Sequence, residues 1–252
     1  MSIAVRLLPL GPPAAGAFNM AVDEALLDSA ERFGIATWRW YRWAEPTLSL
    51  GYFQSAADRL PRFAGTPVVR RTTGGGAILH DDELTYSFAF PRKLRIAAVP
   101  QKLVADVHSA FIAALSRVLP VLQTAALHSG AEDKELPGGE PFLCFARRSP
   151  GDLVAGAEKA LGSAQRSQRG AVLQHGSLPL RRSSAAPEIA GLADLAAGFR
   201  PDPARLCAAV EDDLSRRWNA VFTSGELSTA ELALAARLTV DRHVNPEWIE
   251  RR

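Results

Sequence analysis

The sequence predicts an α+β domain in which helices cover mixed or antiparallel sheets. Short segments alternate apolar and polar side chains, most of them are joined by brief Gly- or Pro-containing turns, and a few amphipathic helical stretches are inserted among them. The regular strand–helix alternation of a doubly wound fold is missing. The P-loop pattern is missing too, because no GK[ST] follows the glycine run at residues 74–76.

The opening segment MSIAVRLLPLGPP carries a short apolar patch broken by Arg6 and prolines, and reads as a first strand rather than a signal peptide. Asn19 is the expected cap of a helix running to about Phe33, with Asp23 and Glu24 in its first turn. Val22, Ala25, Leu26, Ser29, Ala30 and Phe33 form its stripe, and Gly34 is its C-terminal stop. In ATWRWYRW, Trp38 and Trp40 face one way and Arg39 and Tyr41 the other, the pattern of a strand. TLSLGYFQ alternates until Gly51 interrupts it, and Tyr52 and Phe53 then serve either as packing or as a pocket wall.

The stretch RRTTGGGAILHDD, Arg70 to Asp82, is the centre of the chain's organisation. Val68 and Val69 lead into it and the apolar run Ala77 to Leu79 leads out, so the glycines leave bare backbone between two strands. ELTYSFAFP, Glu83 to Pro91, alternates again. Gln101 to Leu119 is the best helix, with an apolar stripe from Leu103 to Val118, closed by Pro120; His108 on its flank is read as structural. Residues 129–141 form a polar loop expected to be mobile, which delivers PFLCF. DLVAGAEKALGSAQ is a hairpin turning at Gly156, and GAVLQHGSLPL is the next strand. From Arg181 the sequence becomes Ala-rich helix. Pro203 to Ala220 is amphipathic, and Ser228 with Glu231 makes a capping box for a last helix through about Val240.

A chain of 252 residues with 47% hydrophobic content is expected to be a single catalytic-sized domain, residues 1–252, with 183–252 its helical C-terminal segment. A net charge of +2 argues against nucleic acid or a membrane surface as partner. Two cysteines make no disulfide framework, and no stretch approaches the ~20 apolar residues of a membrane span. The expectation is a soluble, cytoplasmic protein.

Cys144 and Lys159 are the candidate chemical pair. A thiol beside an ammonium group is more often thiolate, the form that attacks acyl carbons, and a partly buried lysine can then pass a proton. Cys207 lies on a predicted apolar helix stripe and is read as core. His80 and His175 each end an apolar strand segment, where a side chain either reaches a site or holds a neighbouring carbonyl. A Ser-His-Asp hydrolase lacks its GxSxG.

Taken together, FNMAVDEALL (18–27), PTLSLGYFQ (46–54), RRTTGGGAILHD and GSAQRSQRGAVLQHGSL (162–178) resemble the lipoate and octanoate transferases and ligases, which share the biotin/lipoate protein ligase catalytic fold. The tail LTVDRHVNPEWIERR is similar to that family's closing helix. ATP-dependent lipoate ligases continue the glycine motif as HDxGNxNFS; HDDELTYS here is similar to the LipM type of octanoyltransferase, as are Cys144-Phe145, Gly162 to Arg166 and Leu173 to Ser177. The LipB branch places its nucleophile where this chain has Val172.

The resemblance implies Cys144 as nucleophile and Lys159 as its partner, in passing an octanoyl group from acyl carrier protein to a lysine of a lipoyl domain such as the glycine cleavage H protein. No cofactor is expected; ATP and Mg belong only to the alternative, a lipoate-protein ligase. A lipoyl amidotransferase and a non-catalytic carrier-binding scaffold are the remaining readings. Substrate contacts are expected from Arg70, Arg71, Gly74, Gly75, Gly76, His80, Gly162, Ser163, Ala164, His175 and Gly176. The glycines would leave an acyl chain bare backbone to lie against, and the arginines would face the acidic carrier or its phosphopantetheine. Glu158 and Ala160 depart from the family pattern around the lysine.

Overall fold

A computed structural model describes residues 2–94, 96, 99–118, 125–129, 141–196 and 199–251. In chain order the elements are β1 (Ile3–Leu8), α1 (Gly16–Phe33), β2 (Thr37–Tyr41), β3 (Thr47–Leu50), β4 (Val68–Arg70), β5 (Ile78–His80), β6 (Glu83–Pro91), α2 (Pro100–Val118), β7 (Ala125–Leu127), β8 (Leu153–Ala155), β9 (Glu158–Gln168), β10 (Ala171–Pro179), α3 (Leu192–Leu195), α4 (Pro203–Trp218), β11 (Ala220–Ser224), α5 (Thr229–Leu238) and α6 (Pro246–Ile249). The predicted Pro120 stop and most of the polar loop 129–141 lie outside the described residues.

Eight strands form a mixed sheet in the order β11-β1-β2-β6-β10-β9-β8-β7, and β4-β3-β5 form a second, small one. Pairing is parallel at β1/β11, β1/β2 and β3/β4 and antiparallel elsewhere. Alternation decides which side chains share a face. Trp40, Tyr86, Gly176 and Ser163 form one row across the large sheet, and Trp38, Phe88, Gln174 and Gln165 the next row on the same face. This face carries the main core, in which Trp38 stacks on Tyr86 at 4.8 Å and Phe88 on Trp218 at 5.3 Å, covered by α2 and α4. The opposite face carries the row Arg39, Ser87, His175, Ala164 and is covered by α1, with α5 packed behind it.

The start of α1 differs from the sequence expectation. The helix begins at Gly16, whose missing side chain lets it approach Trp43 and Thr47; a Cβ there would lie 2.7 Å from both. Asn19 is therefore inside the helix, buried, with its amide donating to the Ala14 and Arg42 carbonyls. Asp23 is not a first-turn acid but the buried partner of Arg39 at 2.9 Å. Gly34 ends the helix in the left-handed region, φ 71°.

The Ala-rich helix expected from Arg181 does not form. Pro187 and Gly191 interrupt it, and the chain folds back so closely that a Cβ on Gly191 would lie 2.4 Å from the Arg181 nitrogen, leaving only α3. Ala220 opens β11 instead of ending a helix, because Asn219 adopts φ 49° and turns the chain onto β1. The Ser228–Glu231 capping box is present as read from the sequence. Among the described residues no helix is long and apolar enough to cross a membrane.

Candidate active site

Cys144 begins a single helical turn, and the segment before it is stitched to the strand leaving the glycine loop. Ala77 donates to the Phe142 carbonyl at 3.0 Å, and Cys144 donates its amide to Ala77 at 2.7 Å. Gly76 makes this possible: a Cβ there would sit 3.2 Å from the Phe142 oxygen and 3.4 Å from the Cys144 nitrogen.

Lys159 comes from β9 just past the Gly156 turn. Val154 opposes Lys159 and Leu153 opposes Leu161, so β9 holds one extra residue, Ala160. This bulge places Lys159 on the same side of the strand as Gly162. The aliphatic stem lies over Gly162, where a Cβ would meet Lys159 Cε at 2.5 Å and Nζ at 2.8 Å. The ammonium then stands 3.6 Å from Cys144 Sγ, 2.7 Å from Asp152 Oδ2, and 5.3 Å from the centre of the Phe145 ring. Asp152 is fixed in turn by the Ser149 amide at 2.7 Å. The result is a thiol facing a buried, oriented cation.

Arg71 organises the glycine loop from inside. Its guanidinium donates to the carbonyls of Ser49 at 2.8 Å, Gly74 at 3.0 Å and Gly76 at 2.6 Å. Burial pulls its pKa down to about 10, with the nearby Cys144 sulfur acting in the opposite direction, so it stays cationic near neutrality. Gly75 sits at φ +91°, a conformation that favours glycine, and its carbonyl occupies the place a side chain on Gly51 would take, 1.8 Å from an ideal Cβ.

Arg70 does not reach the site, contrary to the expectation that it faces a carrier. It is fully buried. Its guanidinium donates to the Gly51, Gln54, Trp248 and Ile249 carbonyls, while Trp248 Nε1 donates back to the Arg70 carbonyl at 3.0 Å. Arg71, one residue past the end of β4, turns to the glycine loop instead, and of the two arginines it alone borders the cavity.

Both strand-end histidines are held by carboxylates. His80 Nδ1 donates to Glu83 at 2.8 Å, Nε2 accepts from Ser49 at 2.7 Å, and the ring stacks on Trp43 at 3.7 Å. Burial holds its pKa below the ordinary histidine value, although the Glu83 charge opposes this. His175 Nδ1 donates to Asp23 at 3.3 Å and Nε2 is 2.7 Å from Thr73 Oγ1, which ties the glycine loop to α1. Burial raises the Asp23 pKa, but the His175 hydrogen bond and Arg39 outweigh it and hold the carboxyl below its usual range.

On the other face of the sheet, His108 has its pKa pushed down to about 4 by burial and is neutral near pH 7. Its Nδ1 donates to the Gly151 carbonyl at 2.6 Å, so Nε2 accepts from Ser163, 2.6 Å away. Ser163 then accepts from Tyr86 at 2.6 Å, Tyr86 from Gln174 at 2.7 Å, and Gln174 from Gln165 at 2.6 Å. Tyr86 crosses β10 because Gly176 has no side chain; a Cβ would lie 2.6 Å from its ring. His108 is structural, as read from the sequence, and fixes the turn that carries Asp152.

These groups surround a cavity of about 650 Å³. Cys144, Lys159, Arg71, Gly74, Gly75, His80, Gly162, Ser163, Ala164, His175 and Gly176 all border it. Arg70 and Gly76 do not, the second because it seats the cysteine segment instead of an acyl chain. Sequence reasoning missed Asp152, Trp43 and Met20. Asp152 opens the lysine hairpin and was open to notice as a carboxylate near the turn; which way it faces depends on the bulge. Cys207 is buried in the core, away from the cavity.

The family described as the lipoyl protein ligase A/B catalytic domain matches residues 15–187. Curated relatives include the octanoyltransferase LipM of Oceanobacillus iheyensis, 36% identical over 67% of this chain and 61% of that protein, and that of Kyrpidia tusciae, 40% identical over 69% and 65%. The chain thus spans less than two thirds of the length of these relatives. Solved structures of similar fold include a lipoate-protein ligase A bound with ATP, at TM-score 0.77 and 23% identity over 99% of both chains. A bi-partite lipoate protein ligase of Thermoplasma acidophilum, described with its E2 lipoyl domain, aligns at TM-score 0.72 and 19% identity over 99% of this chain and 97% of the other.

Proposed function

Because the chain belongs to the lipoyl protein ligase A/B catalytic-domain family, we propose that it is an octanoyltransferase of lipoate synthesis, moving an octanoyl group from acyl carrier protein through Cys144 to a lysine of a lipoyl domain. The observation that carries this reading is the Lys159 ammonium 3.6 Å from the Cys144 sulfur at the wall of a mostly apolar cavity. Relatives named octanoyltransferase LipM, at 36–40% identity, support the acyl group.

The chemistry is a ping-pong acyl transfer. The Cys144 thiolate attacks the carrier's thioester carbonyl, the bond to the carrier sulfur breaks, and that sulfur takes a proton from the Lys159 ammonium. The acceptor amine then attacks octanoyl-Cys144. Its proton passes to the neutral Lys159, the amide forms, and Cys144 leaves as thiolate, which restores the starting pair. Asp152 keeps Lys159 aimed throughout. The thioester is already activated, so the reaction calls for no nucleotide. The cytoplasm, where the free thiols Cys144 and Cys207 stay reduced, is the fitting compartment.

Intact-protein mass spectrometry after mixing with octanoyl-loaded carrier protein tests this. The expected result is one octanoyl adduct that maps to Cys144, disappears on adding an apo lipoyl domain, and is absent in Cys144→Ala. Transfer that proceeds from free octanoate only with ATP, and survives Cys144→Ala, would replace this reading with a ligase.

A further inference from the structure

The large sheet narrows beside the thiol. β8 pairs with β9 only at Glu158–Leu161, whereas β9 runs on to Gln168 with β10 along its other side. From Gly162 onward, among the described residues, no strand pairs with the outer edge of β9. Alternate backbone N–H and C=O groups there point outward without a ladder partner, and such groups need a partner when water is restricted. Residues Ser163–Gln165 are half-buried and border the cavity.

The same cavity is lined by Gln101, Val104 and Ala105 of the first turns of α2, the helix that covers the Ser163 face of the sheet. Gln165 bridges the far end of this space, its Nε2 donating to the Pro100 carbonyl at 3.0 Å. The near end of the slot is the reactive pair, since the Lys159 stem lies over Gly162. Thus the cavity's lining comes from both sides of β9: Trp43 and His80 on the α1 side, the first arm, and Gln101, Val104 and Ala105 on the α2 side, the second arm.

We infer that the second arm binds the phosphopantetheine of the carrier-bound thioester as an added half-strand, its two amides pairing with the free edge of β9 at Ser163–Gln165. This rests on the thioester chemistry proposed for Cys144. Outward-pointing backbone groups on one strand edge recur about every 6.6 Å, and the β-alanyl unit of pantetheine separates its amides by about 5 Å at standard bond lengths, so both amides fall within the span of Ser163–Gln165, the second offset by roughly 1.6 Å from full register. The main-chain contacts supply affinity in the manner of strand addition. A space bridged at its far end by one side chain is too narrow for a folded hairpin of an acceptor protein, which is two strands wide.

Acylation of Cys144 by three octanoyl thioesters tests the assignment: those of pantetheine, with two amides, N-acetylcysteamine, with one, and ethanethiol, with none. The expected second-order rate constants fall roughly three- to tenfold for each amide lost, with the change in KM. Ala105→Trp, which fills the slot, is expected to lower the pantetheine constant more than tenfold and to narrow the span between the donors. Equal constants for the three donors, or a uniform drop in Ala105→Trp, would overturn the slot while leaving the transferase intact. No acylation by any donor would overturn the transferase reading and the slot together.

Discussion

Lys159 and Asp152 face one another at 2.7 Å across the β8–β9 hairpin, both almost wholly withdrawn from water. A buried ion pair of this kind adds little net stability as a pair but is costly to break on one side. Lys159→Met is therefore expected to lower the unfolding free energy by roughly 3–5 kcal/mol, because the carboxylate remains without its partner. Adding Asp152→Asn removes the stranded charge while an amide oxygen still accepts from Ser149, and most of the loss should be recovered. Urea unfolding of the two variants checks this; a single variant as stable as the parent would contradict it.

Gly162→Ala separates positioning from folding. The new methyl would sit 2.5 Å from Lys159 Cε, but what it meets is the flexible end of a side chain, so the lysine gives way and the strand survives. Octanoyl transfer is expected to fall about 100-fold, the usual effect of misplacing a reacting group by an ångström. The circular dichroism spectrum and Tm should stay close to those of the parent. A fully active variant would show that the 3.6 Å approach is not needed.

Arg70→Met should damage the tail before it damages catalysis. The guanidinium partners the Trp248 and Ile249 carbonyls, and each buried acceptor left alone costs about 1–3 kcal/mol. Limited proteolysis is expected to cut the variant first in the segment around α6, with loss of global stability, whereas KM for the octanoyl donor changes less. A selective rise in that KM with an intact tail would restore the carrier-facing role that the sequence alone pointed to.

His108 gives the fold a defined acid sensitivity. Burial holds its pKa to about 4 against 6.5 for the ordinary group, so below about pH 6.5 the unfolded chain binds a proton that the folded chain refuses. The contribution is complete above pH 6.5 and is lost as pH falls toward 4, at most about 3 kcal/mol. His108→Gln lacks this titration. Urea midpoints of the parent and the variant, compared at pH 7 and pH 4.5, should therefore converge at the lower pH; a constant gap would assign the slope to the carboxylates instead.

Much of the architecture could be read from the chain because burial imposed a period. The alternation of Trp38 and Trp40 against Arg39 and Tyr41 survives as the two faces of β2, and the stripe of α2 packs as its spacing requires. Positions set by long-range approach could not be read in this way. Asn19 has a cap's chemistry, yet Gly16 lets the helix begin a turn earlier against Trp43. Arg70 and Arg71 are indistinguishable in sequence, and only their partners, the tail carbonyls for one and the glycine-loop carbonyls for the other, separate a structural guanidinium from one at the cavity. Cys144 and Lys159 were recognisable by type and family resemblance, but the aspartate that orients the lysine depends on a single inserted residue.

That insertion, Ala160, governs more than one side chain. It offsets the two halves of β9 by one step, so that the amine belongs to one surface of the ribbon by local count and to the other by its neighbours beyond the kink. Excising it would return the ribbon to an even beat and swing the amine toward the aromatic layer under α2. Chemical competence in this molecule is thus a matter of parity as well as composition, and a homologue keeping the same cysteine and lysine but losing one residue between the hairpin tip and Gly162 would be expected to fold and to lie idle.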